Sequence, residues 1–370
     1  MNILVTGFKG FIGKNLDIAL GRTKKHFIWK YDLESSREIL EQGLASAEAV
    51  FHLAGVNRTE KADEFNAGNV ELTYQICATL QHLGRKPRIL FSSSVQAALD
   101  NPYGKSKRLA EQALETLSSE TGAPVVIFRL PGVFGKWCRP NYNSVVATFC
   151  HNIARNLPIQ IADRDKELDL VYIDDVVMAF LAFLEKAEQA KGFSRASVEP
   201  TFRVKLGQLA DLIYSFREHR EKGILAGLND PFVRRLYSAY LSYLPKEDFS
   251  FAPQIQADAR GFVSELIKAG DCGQIFVSRT LPGIIRGNHY HDSKVEKFIV
   301  LEGEAVICFK NMATGEKAEY PITGRELRVV DIPPGWTHSI ENTGQSEMIV
   351  LFWASEVFDA ARPDTYPAEV

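Results

Sequence analysis

Tyr103 and Lys107, in "PYGKSK", stand four residues apart, so a helix places them on one face. There the lysine charge lowers the tyrosine pKa and makes the phenol a usable proton donor to a carbonyl being reduced. Ser94, at the end of "FSSS", can hydrogen-bond the same oxygen. A second set lies near the other end of the chain: His289 and His291 in "GNHYHDSKVE", Glu296 at its close, and His338 in "PPGWTHSIEN". Alternate residues of a strand share a face, so His289 and His291 point together, and Glu296 and His338 can join them from neighbouring strands. Imidazoles with one carboxylate suit zinc or another divalent first-row ion. A lone histidine on an apolar face is usually a satisfied core residue, but here three of the chain's eight fall in one patterned set.

These residues need elements to hold them. Glycines 7, 10 and 13 of "TGFKGFIG" follow a β-type run over residues 2–6 and open a helical pattern through Leu16 and Leu20. The first glycine permits a tight turn, the second lets backbone approach a pyrophosphate, and the third lets helix and strand pack closely. The expected dinucleotide turn is therefore Gly7, Phe8, Lys9, Gly10, Phe11, Ile12 and Gly13. "FIWKYD" ends a second strand at Asp32, whose carboxylate would accept from a free ribose 2′-OH and repel a 2′-phosphate, favouring NADH. Lys30 close by can offset it, which leaves NADPH open. "AVFHLAG", "RILFSSS" and "VVIFRL" continue the alternation of apolar strands with helices, the pattern of an α/β doubly wound Rossmann domain. After about residue 245 short strands separated by Gly, Pro and Asp turns predict an all-β barrel or sandwich. The junction falls in "LPKEDFSFAP", giving domains 1–247 and 248–370. Tyr237, Tyr240 and Tyr243, three apart near that junction, read as helix packing.

Composition narrows the function. With 45% hydrophobic residues, 24% charged residues and a net charge of -3, the chain is globular and has no broad basic field for nucleic acid. Five scattered cysteines without a CxxC pair indicate reduced thiols in the cytoplasm rather than a disulfide framework. "MNILVTG" lacks the features of a secretory signal, and the longest apolar run, "VVMAFLAFL", is far short of the roughly 20 residues that span a bilayer. Small molecules, not membranes, are the expected partners.

The TGxxGxxG turn, "HLAG" at His52–Gly55, the SSS strand and the YxxxK pair together resemble the extended short-chain dehydrogenase/reductase family, and "RLPGVFG" and "VYIDDVV" resemble its nucleotide-sugar branch. The resemblance implies NADH or NADPH on the glycine turn beside Leu53, Ala54 and Gly55. It also implies Tyr103 as general acid, Lys107 as its tuner and ribose binder, and Ser94 as carbonyl orienter. The spacing from Gly283 through His289, His291, Glu296 and Gly303 to His338 and Asn342 is similar to the two motifs of the cupin superfamily, a jelly-roll barrel. One departure is Leu327, where the second motif opens on glycine.

A reductase joined to a cupin resembles the bifunctional enzymes of capsular polysaccharide synthesis over nearly the whole chain. That implies a homodimer acting on a UDP-sugar. The cupin would epimerise C3 of a UDP-4-keto-2-acetamido-2,6-dideoxyhexose, and the reductase would then reduce C4 to UDP-2-acetamido-2,6-dideoxy-L-talose, on the route to UDP-N-acetyl-L-fucosamine. His338, Lys297 and Tyr290 are candidate bases by proximity. Two other readings stand beside this one: a cupin that only binds sugar or makes a dimer, and a metal-dependent oxygenase.

Overall fold

Apolar runs in the first half form strands covered on both faces. The computed structural model describes residues 1–59, 62–185, 192–225 and 227–370. Its early strands are β1 (Asn2–Thr6), β2 (Phe27–Tyr31), β3 (Ala49–His52), β4 (Arg88–Ser94), β5 (Val125–Leu130), β6 (Gly132–Phe134), β7 (Glu167–Tyr172), β8 (Phe193–Ala196) and β9 (Thr201–Lys205). Six of them make a parallel sheet in the order β2-β1-β3-β4-β5-β8. Successive strand residues serve opposite layers. Ile3, Val5, Phe51 and Leu90 pack with Leu16, Leu20 and Phe180 of the helices Phe11–Thr23 and Ile173–Glu185. Leu4, Val50, Ile89 and Phe91 pack with Leu40, Ile76 and Leu114 of the helices Arg37–Ser46, Leu72–His82 and Pro102–Thr121. This is the doubly wound Rossmann arrangement read from the sequence. The strand order reverses at β1, so the crevice at the carboxyl ends of β1 and β3 is the place where such sheets bind ligands.

A small sheet, β6-β7-β9, carries the "GVF" and "VY" motifs. Lys136 after β6 pairs with Asp174 in the first turn after β7, which ties the two motifs together.

The second half contains β10 (Ile255–Asp258), β11 (Gly261–Ala269), β12 (Gly273–Thr280), β13 (Ile285–Tyr290), β14 (Glu296–Glu302), β15 (Glu304–Asn311), β16 (Lys317–Thr323), β17 (Val330–Ile332), β18 (Trp336–Asn342), β19 (Met348–Ala354) and β20 (Tyr366–Pro367). They form two sheets, β10-β11-β12-β19-β14-β17 and β16-β15-β18-β13-β20, of antiparallel pairs. Period-two burial turns Phe298 and Val300 of β14 and Val350 and Phe352 of β19 inward against Ile307 of β15 and Ile340 of β18. Two sheets closing on one apolar core is the expected jelly-roll cupin fold. Close backbone approach occurs at Gly324, where an added Cβ would lie 2.7 Å from the Glu302 backbone. Leu327, three residues on, is exposed, so the glycine missing from the second motif is not needed there.

The chain divides into two compact units, Met1–Ile213 with Ser238–Leu244, and Tyr214–Tyr237 with Pro245–Val370. Segment 214–237 thus goes with the barrel strands, whereas the sequence places one cut at 247/248. All five cysteines are free. Among the described residues no helix is long and apolar enough to cross a membrane.

Gly13 shows how tightly the glycine turn is built. A Cβ there would lie 2.2 Å from the Gly7 carbonyl oxygen and 2.6 Å from Phe8 Cα, both backbone atoms that cannot step aside. Gly13→Ala is expected to cost about 1–3 kcal/mol, as overpacking does, read as a lower urea midpoint for the first unit. An unchanged midpoint would contradict this packing.

Candidate functional site

The first site forms where β1 and β3 end. Gly7 has φ +72°, and a Cβ on it would sit 2.7 Å from the Ala54 backbone, so the glycine turn abuts Leu53 and Ala54. Threonines and one histidine hold that contact. The Ala54 N–H donates to Thr6 Oγ1 (3.2 Å). His52 joins Thr6 through Nδ1 (2.8 Å) and Thr73 through Nε2 (2.9 Å). The Thr73 hydroxyl is committed to the Asn69 carbonyl (2.8 Å), so His52 Nε2–H donates to Thr73 and Nδ1 accepts from Thr6. Burial, helped by the Lys107 charge, pushes His52 down to about 3, which keeps it neutral. The sequence offered His52 only as part of a motif; its bracing role became visible once Thr6 and Thr73 met it.

Asp32 stands just past β2, and its carboxylate accepts from the Lys9 and Leu33 N–H groups (both 2.9 Å). Lys30 is turned away from Asp32 into an ion pair with Asp17 (2.7 Å). Lys9 pairs with Glu34. Phe8, Phe11 and Ile12 pack partly against the core, so what they offer a ligand is chiefly backbone. Gly10 caps the helix Phe11–Thr23 without a side chain, leaving the first-turn N–H groups free of a side-chain cap.

The helix Pro102–Thr121 starts on Asn101, whose Oδ1 accepts the Gly104 N–H (2.7 Å), and carries Tyr103 and Lys107 to the end of β4. Lys107 is only 5% exposed. Its ammonium donates to the Ser92 carbonyl (3.0 Å) and lies 4.8 Å above the Phe91 ring. Burial pushes it down to about 8, with Glu111 opposing. A Cβ on Gly55 would lie 2.5 Å from Asn69 Oδ1 and 3.1 Å from Lys107 Nζ, which explains that glycine. Asn69 itself, which sequence reasoning missed, accepts from the Val56 N–H and donates to the Val56 carbonyl and Ser106 Oγ (each 2.9 Å).

The Tyr103 phenol departs from expectation. Burial raises it above the ordinary 10, and a hydrogen bond with Ser94 opposes the rise. Lys107, held by Ser92, does not lower it. The phenol is therefore protonated at neutral pH and ready to give a proton. Ser94 Oγ also accepts the Gln96 N–H (3.2 Å).

A separate cavity of about 620 Å³ in this unit is lined by Arg58, Tyr142, Ser144, Phe149, Asn152 and Gln160, among others. Arg58 and Tyr142 bridge one side of it through each other's carbonyls.

The second site lies in the barrel. His289, His291, Glu296 and His338 each present one ligand atom, all within 4.8 Å of one another. Glu296 comes from the inward face of β14, and His289 and His338 come from β13 and β18 of the other sheet. His291 stands one residue beyond β13, so simple strand alternation does not aim it. A bulge between Gly287 and His289, with Asn288 at φ +58°, brings His289 opposite His338 instead. His291 Nδ1 donates to the Asp364 carbonyl (2.5 Å), while the weaker contact of His338 Nδ1 is to the Trp336 carbonyl (3.5 Å). The two Nε2 atoms are buried and without a hydrogen-bond partner, 3.3 and 3.6 Å from Glu296 Oε2. Burial alone would raise the Glu296 carboxyl, but attraction to His291 and His338 outweighs it and holds the group down to about 2. Burial and the neighbouring imidazoles push His289 down to about 4. One carboxylate and three imidazoles whose ligand atoms converge form a donor set that fits a divalent cation.

A cavity of about 550 Å³ opens beside this set, lined by His289, Glu296, Lys294, Glu265, Lys268 and Gln274, among others. Two candidate bases do not face it. Lys297 alternates outward from Glu296 and pairs with Asp331, and Tyr290 alternates away from His289 to meet the Tyr366 ring at a tilt, centroids 5.3 Å apart.

Comparison with known proteins matches residues 3–195 to the NAD dependent epimerase/dehydratase family and residues 256–366 to the polysaccharide biosynthesis C-terminal domain. The UDP-2-acetamido-2,6-beta-L-arabino-hexul-4-ose reductase of Pseudomonas aeruginosa is 46% identical over 100% of this chain and 99% of its own. The crystal structure of CapF, a capsular polysaccharide assembling protein from Staphylococcus aureus, is 46% identical, with TM-score 0.90 and full coverage of both chains. A structure of CapF with the inhibitor 3-isopropenyl-tropolone is 42% identical, with TM-score 0.86 and the same coverage.

His52 sets an acid limit on the first unit. An unfolded imidazole takes up its proton near the ordinary 6.5, whereas the folded one resists until about 3. The unfolded state therefore binds more protons in between, and the stability present above 6.5 is lost as pH falls through that window. Urea unfolding free energies measured from pH 7 to pH 4 are expected to decline, with a shallower slope for His52→Gln. Equal slopes would show that His52 is not the group responsible.

Proposed function

Because the chain belongs to the NAD dependent epimerase/dehydratase family, we propose that its first unit reduces the C4 ketone of a UDP-sugar with NADH or NADPH, and that its barrel first epimerises the neighbouring C3. The substrate in this reading is a UDP-4-keto-2-acetamido-2,6-dideoxyhexose and the product is UDP-2-acetamido-2,6-dideoxy-L-talose, a precursor of UDP-N-acetyl-L-fucosamine. The observation that carries the reductase half is the meeting of Tyr103, Ser94 and buried Lys107 beside Gly55, at the crevice bordered by the glycine turn. Full-length likeness to a relative named as a hexulose reductase supports the ketone as the group acted on.

The dinucleotide supplies hydride. Ser94 orients the ketone oxygen, and Tyr103 gives its phenolic proton to that oxygen as C4 becomes an alcohol. Lys107 fixes the nicotinamide ribose, with its stem sealed from water and its ammonium anchored on Ser92. Asp32, just past β2, would accept from the ribose 2′-OH of a bound dinucleotide. The cavity around Arg58 and Tyr142 has the polar lining and volume to take the nucleotide of the sugar.

In the barrel, His289, His291, Glu296 and His338 would hold zinc or another divalent cation. Bound there, such an ion would supply Lewis acidity toward the ketone oxygen, next to the C3 whose proton the ketone acidifies. The group that takes and returns the C3 proton lies among the cavity-lining side chains rather than at Lys297 or Tyr290. Reduction of the epimerised ketone then draws the epimerisation forward.

Tyr103→Phe is expected to slow cofactor oxidation by the 4-keto sugar about 10²–10⁴-fold, the usual contribution of a positioned acid, while dinucleotide binding measured by fluorescence titration stays as in the parent. Turnover at the parental rate would refute the assigned acid.

A further inference from the structure

Residues 363–368 run alongside the barrel's ligand set, and one of them holds both a ligand and the turn beside it. Asp364 sits at φ +38°, and its carbonyl accepts from His291 Nδ1 (2.5 Å). That bond fixes which nitrogen of His291 carries the proton, and so leaves Nε2 as the lone pair facing Glu296. Its carboxylate accepts from three successive backbone N–H groups that follow His291: Asp292 (2.8 Å), Ser293 (3.0 Å) and Lys294 (2.7 Å). The Ser293 hydroxyl adds a fourth bond (3.0 Å). One residue thus holds both the ring of His291 and the turn that carries it.

Its neighbours extend the strap. Lys294 is 6% exposed, and its ammonium donates to the Pro363 carbonyl (3.0 Å) and Thr365 Oγ1 (2.9 Å). Beyond it, Pro367 pairs in register with His289 and Tyr366 with Tyr290. Ala368 closes the strap, donating to the Asn288 carbonyl (3.0 Å) and accepting from Thr337 Oγ1 (2.7 Å). These contacts reach the bulge at Asn288 that aims His289 and the residue before His338. The strap therefore holds the ring of His291, pairs with the backbone of His289 and ties down the residue before His338, while Glu296 is placed by β14.

We infer that Asp364 is a positioning residue for the cation of the barrel, and that 363–368 is the strap that keeps the three imidazoles converged. The inference rests on the metal reading given above. It concerns retention of the ion, not a chemical step: without the strap the second sheet loses its two-residue edge strand β20, and His291 loses its fixed tautomer and angle.

The test uses the full chain with zinc alone. Competition against a chelator gives the zinc affinity of the parent, of Asp364→Ala and of Asp364→Asn. Melting of each protein is recorded with and without zinc. The alanine variant keeps the carbonyl that accepts from His291 but loses the carboxylate that holds the 292–294 turn behind it, and it is expected to bind zinc about 10-fold more weakly, the low end of the loss when outer support of a metal ligand is removed. Its deficit in melting temperature should be larger with zinc than without. If the alanine variant fails to fold, the asparagine variant, which keeps one acceptor oxygen, is expected to show a smaller loss in the same direction. Zinc affinity equal to the parent, or an equal melting deficit with and without zinc, would overturn the positioning role and leave the metal reading standing. A parent that takes up no zinc would overturn the metal reading itself.

Discussion

Two buried imidazole nitrogens with nothing to bond to set the terms for the barrel. His291 Nε2 and His338 Nε2 lie out of water, aimed at a carboxylate that is ionised although buried. A buried polar atom left unpaired costs about 1–3 kcal/mol, and a buried charge left unpaired costs more. A cation at the focus of the four side chains removes all of these costs at once. Read outward from that focus, the surrounding features fall into place. Period-two burial on β14 sends Glu296 inward and Lys297 outward, the bulge at Asn288 swings His289 to His338, and the Asp364 carbonyl orients His291.

The first unit solves a related problem with different parts. It buries an ammonium next to the place where a dinucleotide is to lie, and holds it there with the Ser92 carbonyl and the Phe91 ring. Room for it is made by Gly55, just as room for the turn is made by Gly7 and Gly13. The neutral His52 and its two threonines tie β1, β3 and the helix Leu72–His82 together behind that turn. In the proposed function the two sites share a substrate feature, a ketone that stabilises the carbanion next to it and accepts hydride at its own carbon. That common chemistry is a reason for one chain to carry both.

Much of this could be read from the sequence because spacing maps directly onto geometry. Tyr103 and Lys107 lie on one helix, the glycines at 7, 10 and 13 stand where a strand meets a helix, and His289 and His338 sit on the paired strands β13 and β18. What escaped was whatever depends on distant segments meeting. Nothing in "NAGNVE" marks Asn69 as the clamp on Val56 and Ser106, and nothing in "RPDTYP" marks Asp364 as a partner of His291. Lys107 was expected to lower the tyrosine pKa, but burial of Tyr103 and the pull of Ser92 on the ammonium reverse that. Lys297 and Tyr290 were near the cup in sequence and face away from its cavity in space, since strand alternation counts for more than proximity along the chain.

The central claim is that the barrel moves a hydrogen at carbon on the same ketone that the first unit reduces. Its most direct test is to incubate the zinc-loaded protein with the 4-keto UDP-sugar in deuterated water, without any nicotinamide cofactor, and to follow C3 by mass spectrometry and proton NMR. Deuterium should enter at C3, and Glu296→Gln should suppress its entry. A sugar that keeps its C3 proton in the presence of the loaded protein would contradict the account, and would leave the barrel as a binding module.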